Sequence, residues 1–132
     1  MIQEFVRQMC QELDILPVPA MNDQKFIPFQ LGSQIEVEIR DLDPGFSLFS
    51  KIAVSPKKMS EEFLTSLMEA NYLGQKTGPA RIGMSADEKF LTLSSGFPYE
   101  MSYRAFLENC EDFINFLLYW REETNKLEMK EA

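Results

Sequence analysis

Residues 26–54 read FIPFQLGSQIEVEIRDLDPGFSLFSKIAV, and this stretch decides the fold. Ile27, Phe29 and Leu31 are apolar at every second position, the period of a strand with one covered face. Gly32 and Ser33 then turn the chain. Ile35, Val37 and Ile39 alternate with Glu36, Glu38 and Arg40, so one face of the second run is apolar and the other wet. Asp43, Pro44 and Gly45 supply the chemistry of a second tight turn. The third run sets Phe46, Leu48, Ile52 and Val54 on one face and leaves Phe49 on the other with Ser47 and Lys51. Three sequential strands joined by short turns predict an antiparallel meander.

On the N-terminal side, Ile2, Phe5, Val6, Met9, Cys10 and Leu13 follow the spacing of an amphipathic helix, which Pro17 and Pro19 are expected to stop. On the C-terminal side, Ser60 is the expected N-cap of a second helix. Glu61 and Glu62 complement its dipole, and Met59 and Leu64 form a hydrophobic staple. Its apolar positions are Phe63, Leu64, Leu67, Met68 and Tyr72, and Gly74 is its expected stop. Ala80, Ile82 and Met84 alternate, residues 85–88 turn, and Phe90, Leu91 and Leu93 form a further run ending at Ser95 and Gly96. Ser102 caps a long helix whose stripe runs through Tyr103, Phe106, Leu107, Cys110, Phe113, Ile114, Leu117 and Leu118. Phe116, Tyr119 and Trp120 widen that stripe, so this part of the helix is expected in the core or against another chain. The charged stretch from Arg121 onward is expected to fray. The order α-β-β-β-α-β-β-α defines an α+β sandwich, an antiparallel sheet with helices packed on it. A single domain over 1–124 and a charged C-terminal tail over 125–132 are expected.

The 132 residues carry 13 Lys plus Arg against 21 Asp plus Glu, a net charge of −8, which disfavours direct binding to nucleic acid or to an anionic membrane. No apolar stretch approaches a membrane span, and the charged N-terminal residues Glu4, Arg7, Glu12 and Asp14 argue against a signal peptide. Cys10 and Cys110 each fall in an apolar helical stripe and read as buried, reduced thiols of a cytoplasmic protein. There is no histidine, which removes the commonest general base and metal ligand. Glu36 and Glu38 read as the wet face of a strand, Asp41 and Asp43 as turn caps, and Glu108, Glu111 and Asp112 as a solvated helix face. No cofactor, no metal and no catalytic set is expected, which disfavours a small carboxylate enzyme.

Residues 71–94 read NYLGQKTGPARIGMSADEKFLTLS. With the element order and the long closing helix, this stretch resembles the class I type III secretion chaperones of the Tir chaperone (CesT) family. The family's pattern LxGQxTGGAxxGxDxDxxxLxLS is met at Leu73, Gly74, Gln75, Thr77, Gly78, Ala80, Gly83, Asp87, Leu91, Leu93 and Ser94. Pro79 departs from it where glycine is more common, as do Met84 and Ser85 where acidic residues are. The resemblance implies a bacterial cytoplasmic dimer without ATPase activity. Such a dimer binds the N-terminal non-globular segment of a secreted effector and keeps it soluble and export-competent. Carried onto this chain, it places Leu64, Leu67, Met68, Ile82 and Met84 at a dimer interface. It points to the first helix and first three strands for client binding, with Phe26, Phe29, Phe46 and Phe49 as candidates. Phe49 leads them because Ser47 and Lys51 beside it are polar, whereas core packing is the competing reading for all four. Eight methionines suit an adaptable apolar surface. Homodimer and heterodimer with a related chaperone both remain open. The alternative function is a regulatory interaction protein that binds a transcription factor or RNA polymerase subunit.

Overall fold

The computed structural model describes residues 2–55, 61–72 and 80–131. The elements run α1 (Ile2–Glu12), β1 (Phe26–Leu31), β2 (Ile35–Asp41), β3 (Phe46–Val54), α2 (Glu61–Tyr72), β4 (Arg81–Met84), β5 (Phe90–Phe97) and α3 (Tyr103–Glu131). This is the order expected from the sequence. The strands form one antiparallel sheet ordered β1-β2-β3-β5-β4, so the meander occupies one side and the later pair closes back against β3. The cap at Ser60, its staple partner Met59, and Leu73, Gly74, Gln75, Thr77, Gly78 and Pro79 lie outside the described residues.

One face of the sheet is covered by α1 and α3. Ile27 and Phe29 of β1, Val37 and Ile39 of β2, Phe46, Leu48 and Ile52 of β3 and Leu91, Leu93 and Phe97 of β5 are buried there with Val6, Met9 and Cys10 of α1 and Phe106, Phe113, Leu117 and Trp120 of α3. The ring of Phe46 stacks on Phe97 at 4.9 Å and meets Phe106 edge-on at 4.9 Å. Phe5 packs on Phe106 at 5.3 Å, and the Tyr103 hydroxyl donates to the Glu12 carboxylate at 2.7 Å, which ties α3 to α1. Burial and that negatively charged partner push Tyr103 up to about 12. Burial alone pushes the free thiol of Cys110 up to about 12, and that of Cys10 upward too.

Several local expectations are corrected. The first helix stops at Glu12, well before the prolines, because Asp14 adopts the left-handed region at φ 56° and the Ile15 amide donates back to the Cys10 carbonyl at 2.9 Å. That 6→1 bond is a Schellman closure, which leaves Leu13 exposed beyond the helix. In β3 the register against β5 shifts between Lys51 and Ala53. A bulge inserts one residue and inverts the alternation after it, so Val54 is 65% exposed rather than on the core face. β5 continues through Ser95 and Gly96 to Phe97. The helix expected to fray at Arg121 continues to Glu131.

Arg121 accounts for part of that continuation. The β2–β3 ladder ends at the Glu38↔Phe49 pair, and beyond it the strands part. The Ser50 hydroxyl donates to the Glu36 carbonyl at 2.7 Å across the gap. The Arg121 guanidinium donates from Nη1 to the Gln34 carbonyl at 2.7 Å, from Nη2 to the Lys51 carbonyl at 3.0 Å and from Nε to the Ile52 carbonyl at 3.2 Å. Backbone oxygens released by the parting strands and the bulge are thereby satisfied by one planar five-donor group. One turn on, the Thr124 hydroxyl bonds back to the Trp120 carbonyl.

Both outer edges of the sheet are closed by an asparagine. Asn22 donates its amide to the Phe26 carbonyl at 3.0 Å and accepts from the Phe26 amide on its side-chain oxygen at 3.2 Å. At the opposite edge the Asn71 side chain accepts from the Ile82 amide at 2.8 Å and donates to the Ile82 carbonyl at 2.9 Å. Each carboxamide takes part where a further strand would have bonded.

Candidate functional site

The uncovered face of the sheet is built from the positions that alternate with the core. Phe26, Pro28 and Gln30 of β1, Glu36, Glu38 and Arg40 of β2, Ser47, Phe49 and Lys51 of β3, Arg81 of β4 and Ser94 and Gly96 of β5 share it. The small side chains at 47, 94 and 96 leave a depression between larger neighbours. The result is an open groove of about 550 Å³ lined by Glu38, Arg40, Ser47, Phe49, Arg81 and Gly96. A second recess of about 260 Å³ lies beside Phe49 where β2 and β3 part, and Gln34, Glu36, Ser50 and Arg121 line it.

The cations on this face are held in place. Arg40 lies 5.6 Å from the Phe26 ring centroid and donates to the Gln24 carbonyl at 3.0 Å. Lys51 sits 4.0 Å over the Phe90 ring. In a chain of net charge −8, this sheet face carries three cations, Arg40, Lys51 and Arg81, against two carboxylates, Glu36 and Glu38.

The structure separates the four candidate phenylalanines. Phe26 and Phe49 are half-buried on the open face, and Phe49 lines both recesses. Phe29 and Phe46 are 2% and 0% exposed and belong to the core on the covered face. Among the candidate interface residues, Met68 is 71% exposed and Leu64 and Met84 are each 44% exposed. Leu67 is half-buried and Ile82 is buried. Leu64 and Met68 are one turn apart on α2, the helix whose Asn71 seals the β4 edge.

Most of the described half of the motif at 71–94 is structural, and Ser94 lies in the groove. Ala80, Leu91 and Leu93 are core. Asp87 closes the β4–β5 turn, accepting from the Ser85 hydroxyl at 2.6 Å and the Lys89 amide at 3.1 Å, and these bonds hold its carboxyl below the usual range. Arg121 and the two edge asparagines were not anticipated from the sequence. Their partners are backbone atoms, which leave no side-chain pattern to read. Among the described residues no cluster of acidic or sulfur ligands forms a metal site, and no helix is long and apolar enough to cross a membrane.

A five-stranded antiparallel sheet, covered by helices on one face and grooved on the other, with unpartnered apolar residues on α2 and β4, is the architecture of a type III secretion chaperone. The chain belongs to the Tir chaperone protein (CesT) family, whose model matches residues 46–121, more than half of its length. No curated protein matches it by sequence. Its fold is that of a chain in the ExsC–ExsE complex, with a TM-score of 0.73 at 11% identity, covering 92% of this chain and 91% of that one. A chain of the HopA1–SchA chaperone–effector complex aligns with a TM-score of 0.69 at 10% identity, covering 92% and 93%. A chain of the heterodimeric ExoU–SpcU complex from the type III secretion system of Pseudomonas aeruginosa aligns at 0.65 and 17% identity, covering 96% and 94%. These comparisons do not favour the regulatory alternative.

Proposed function

We propose that this chain is a non-enzymatic, cytoplasmic chaperone that holds the N-terminal non-globular segment of a secreted effector until export. The observation that carries the proposal is the groove on the uncovered sheet face, with Phe49 between its two recesses, in a chain of the Tir chaperone family. Solved relatives of the same fold include a chaperone–effector complex, which supports a protein segment as the ligand. The absence of histidine supports binding without bond-making.

The edges argue for engagement through side chains on the face rather than through strand addition along the sheet. Asn22 occupies both polar groups of Phe26, and Pro28, two residues on and therefore also directed outward, has no N–H to give. Of the outward positions on β1, Gln30 alone offers a donor and an acceptor together. Phe26 and Phe49 are therefore the proposed client contacts, while Phe29 and Phe46 support the face from beneath. Leu64, Met68 and Met84 form the proposed dimer surface, backed by Leu67 and Ile82.

Co-expression of the tagged chain with the amino-terminal segment of a candidate effector from the same secretion system tests the proposal. The wild-type chain is expected to retain that segment in soluble form, and Phe49→Glu to release it with the dimer mass unchanged by light scattering. Retention by Phe49→Glu equal to wild type sinks the assignment of the face.

A further inference from the structure

A cavity of about 70 Å³ opens at the end of the sheet where the first turn of α1, the β2–β3 turn and the β5–α3 connection meet. Ile2, Phe5, Phe46 and Met101 make its wall, with Tyr99 exposed at its mouth. Asp41, Asp43 and Glu100 add three carboxylates to that lining. None of the three forms a salt bridge among the described residues, and the one hydrogen bond among them is the Asp43 amide donating to Asp41 Oδ1 at 3.0 Å.

The walls are set by packing. Gly45 has φ +84°, and a Cβ there would stand 1.9 Å from the Phe97 carbonyl oxygen, so the β2–β3 turn is pressed against the end of β5. The Leu42 amide closes the turn onto the Gly45 carbonyl at 3.0 Å. A site with fixed walls loses little ordering entropy when it is filled.

A lining that joins apolar residues to acidic ones fits one kind of side chain. Lysine and arginine carry an aliphatic stem that favours apolar surface and a cationic head that seeks carboxylates. The volume, several times what one water molecule needs, suits such a stem and is too small for an aromatic pair. A bare metal ion is disfavoured, since among the described residues no group of three or more acidic or sulfur ligands converges on a metal-sized position. The net charge of −8 adds a long-range attraction for a cation.

We propose that this cavity receives a single basic side chain of the bound protein segment, its stem against Ile2, Phe5 and Met101 and its head among Asp41, Asp43 and Glu100. The inference rests on the reading that the chain holds an extended segment of another protein, and it adds a preference for a lysine or arginine at one point of that segment.

The probe is n-butylguanidinium, titrated into the full chain at constant ionic strength and followed by side-chain NMR, with n-butanol as its neutral counterpart. Saturable shifts confined to Ile2, Phe5, Tyr99 and Met101 are expected, with a dissociation constant on the order of millimolar for so small a ligand. Binding is expected to weaken severalfold in the Asp43→Asn/Glu100→Gln double variant, whose spectrum otherwise stays native because asparagine tolerates the left-handed φ of 42° at position 43. Equal shifts with butanol, shifts reproduced by calcium alone, or no saturable shift would overturn the proposal. A chain that takes the probe and retains no effector segment fails the functional reading and overturns the segment as occupant, leaving only a cation site. A double variant that retains the segment as well as wild type leaves the functional reading standing and overturns this inference.

Discussion

The two faces of the sheet use the same strands for opposite ends. On the covered face alternate residues are buried in one core with α1 and α3, and the ring of Phe46 lies between those of Phe97 and Phe106. On the open face the residues one position away are Ser47, Phe49, Arg40 and Gly96, which pack against nothing in the chain tightly enough to close the groove. The covered face therefore holds the free energy of folding and the open face holds the freedom to bind. Substitutions one residue apart on β3 should separate the two.

The largest effect is expected from Phe46→Ala, which removes a fully buried ring and leaves a cavity. It should lower stability by about 3–5 kcal/mol in chemical denaturation. A loss below about 1 kcal/mol would show that the aromatic stack does not anchor the sheet. Arg121→Ala should follow at about 1.5–3 kcal/mol, since three carbonyls lose charge-assisted donors. Amide exchange should accelerate at the parted end of β2 and β3 and stay slow along β3–β5. Asn71→Ala should cost about 1–2 kcal/mol through its two bonds to Ile82 and expose the β4 edge to exchange.

An alkaline pH dependence is expected from the covered layer. Cys110 stays protonated in the folded chain to about 12 but ionises near 9.0 when unfolded, and Tyr103 behaves alike between 10.0 and about 12. In that window the folded state binds more protons, so stability is complete below pH 9 and falls as pH rises toward 12. Cys110→Ala should flatten that decline, whereas a slope unchanged from wild type would remove the thiol from the account. The smallest effect on stability belongs to Phe49→Glu, about 0.5–1 kcal/mol, because the ring is only half-buried on an open face while Glu38 stands opposite it. A large loss there would make Phe49 a core residue.

Alternation and helical period made the meander, α1 and α3 legible, because a covered face imposes its own spacing on the chain. They could not show where alternation slips. The bulge between Lys51 and Ala53 moved Val54 to the surface, and no residue type marks it. The left-handed Asp14 stops α1 ahead of the prolines, and no sequence rule marks it. A run of charges after Trp120 gave no sign that Arg121 turns inward to backbone carbonyls, since a guanidinium on carbonyls looks in sequence like any solvated arginine. For the candidate site, the pattern grouped Phe46 with Leu48 and set Phe49 apart, yet it did not say which face the helices would cover. That choice removes Phe29 and Phe46 from the surface and leaves Phe26 and Phe49 on it.

The asparagine at each border of the sheet also bears on what the molecule does in a crowd. An open sheet edge can become a template for other segments, or for further copies of the same chain. With Asn22 on Phe26 and Asn71 on Ile82, each border of the five-stranded sheet has one residue whose polar groups are already taken. A sixth strand meets fewer free partners there than at an unguarded edge.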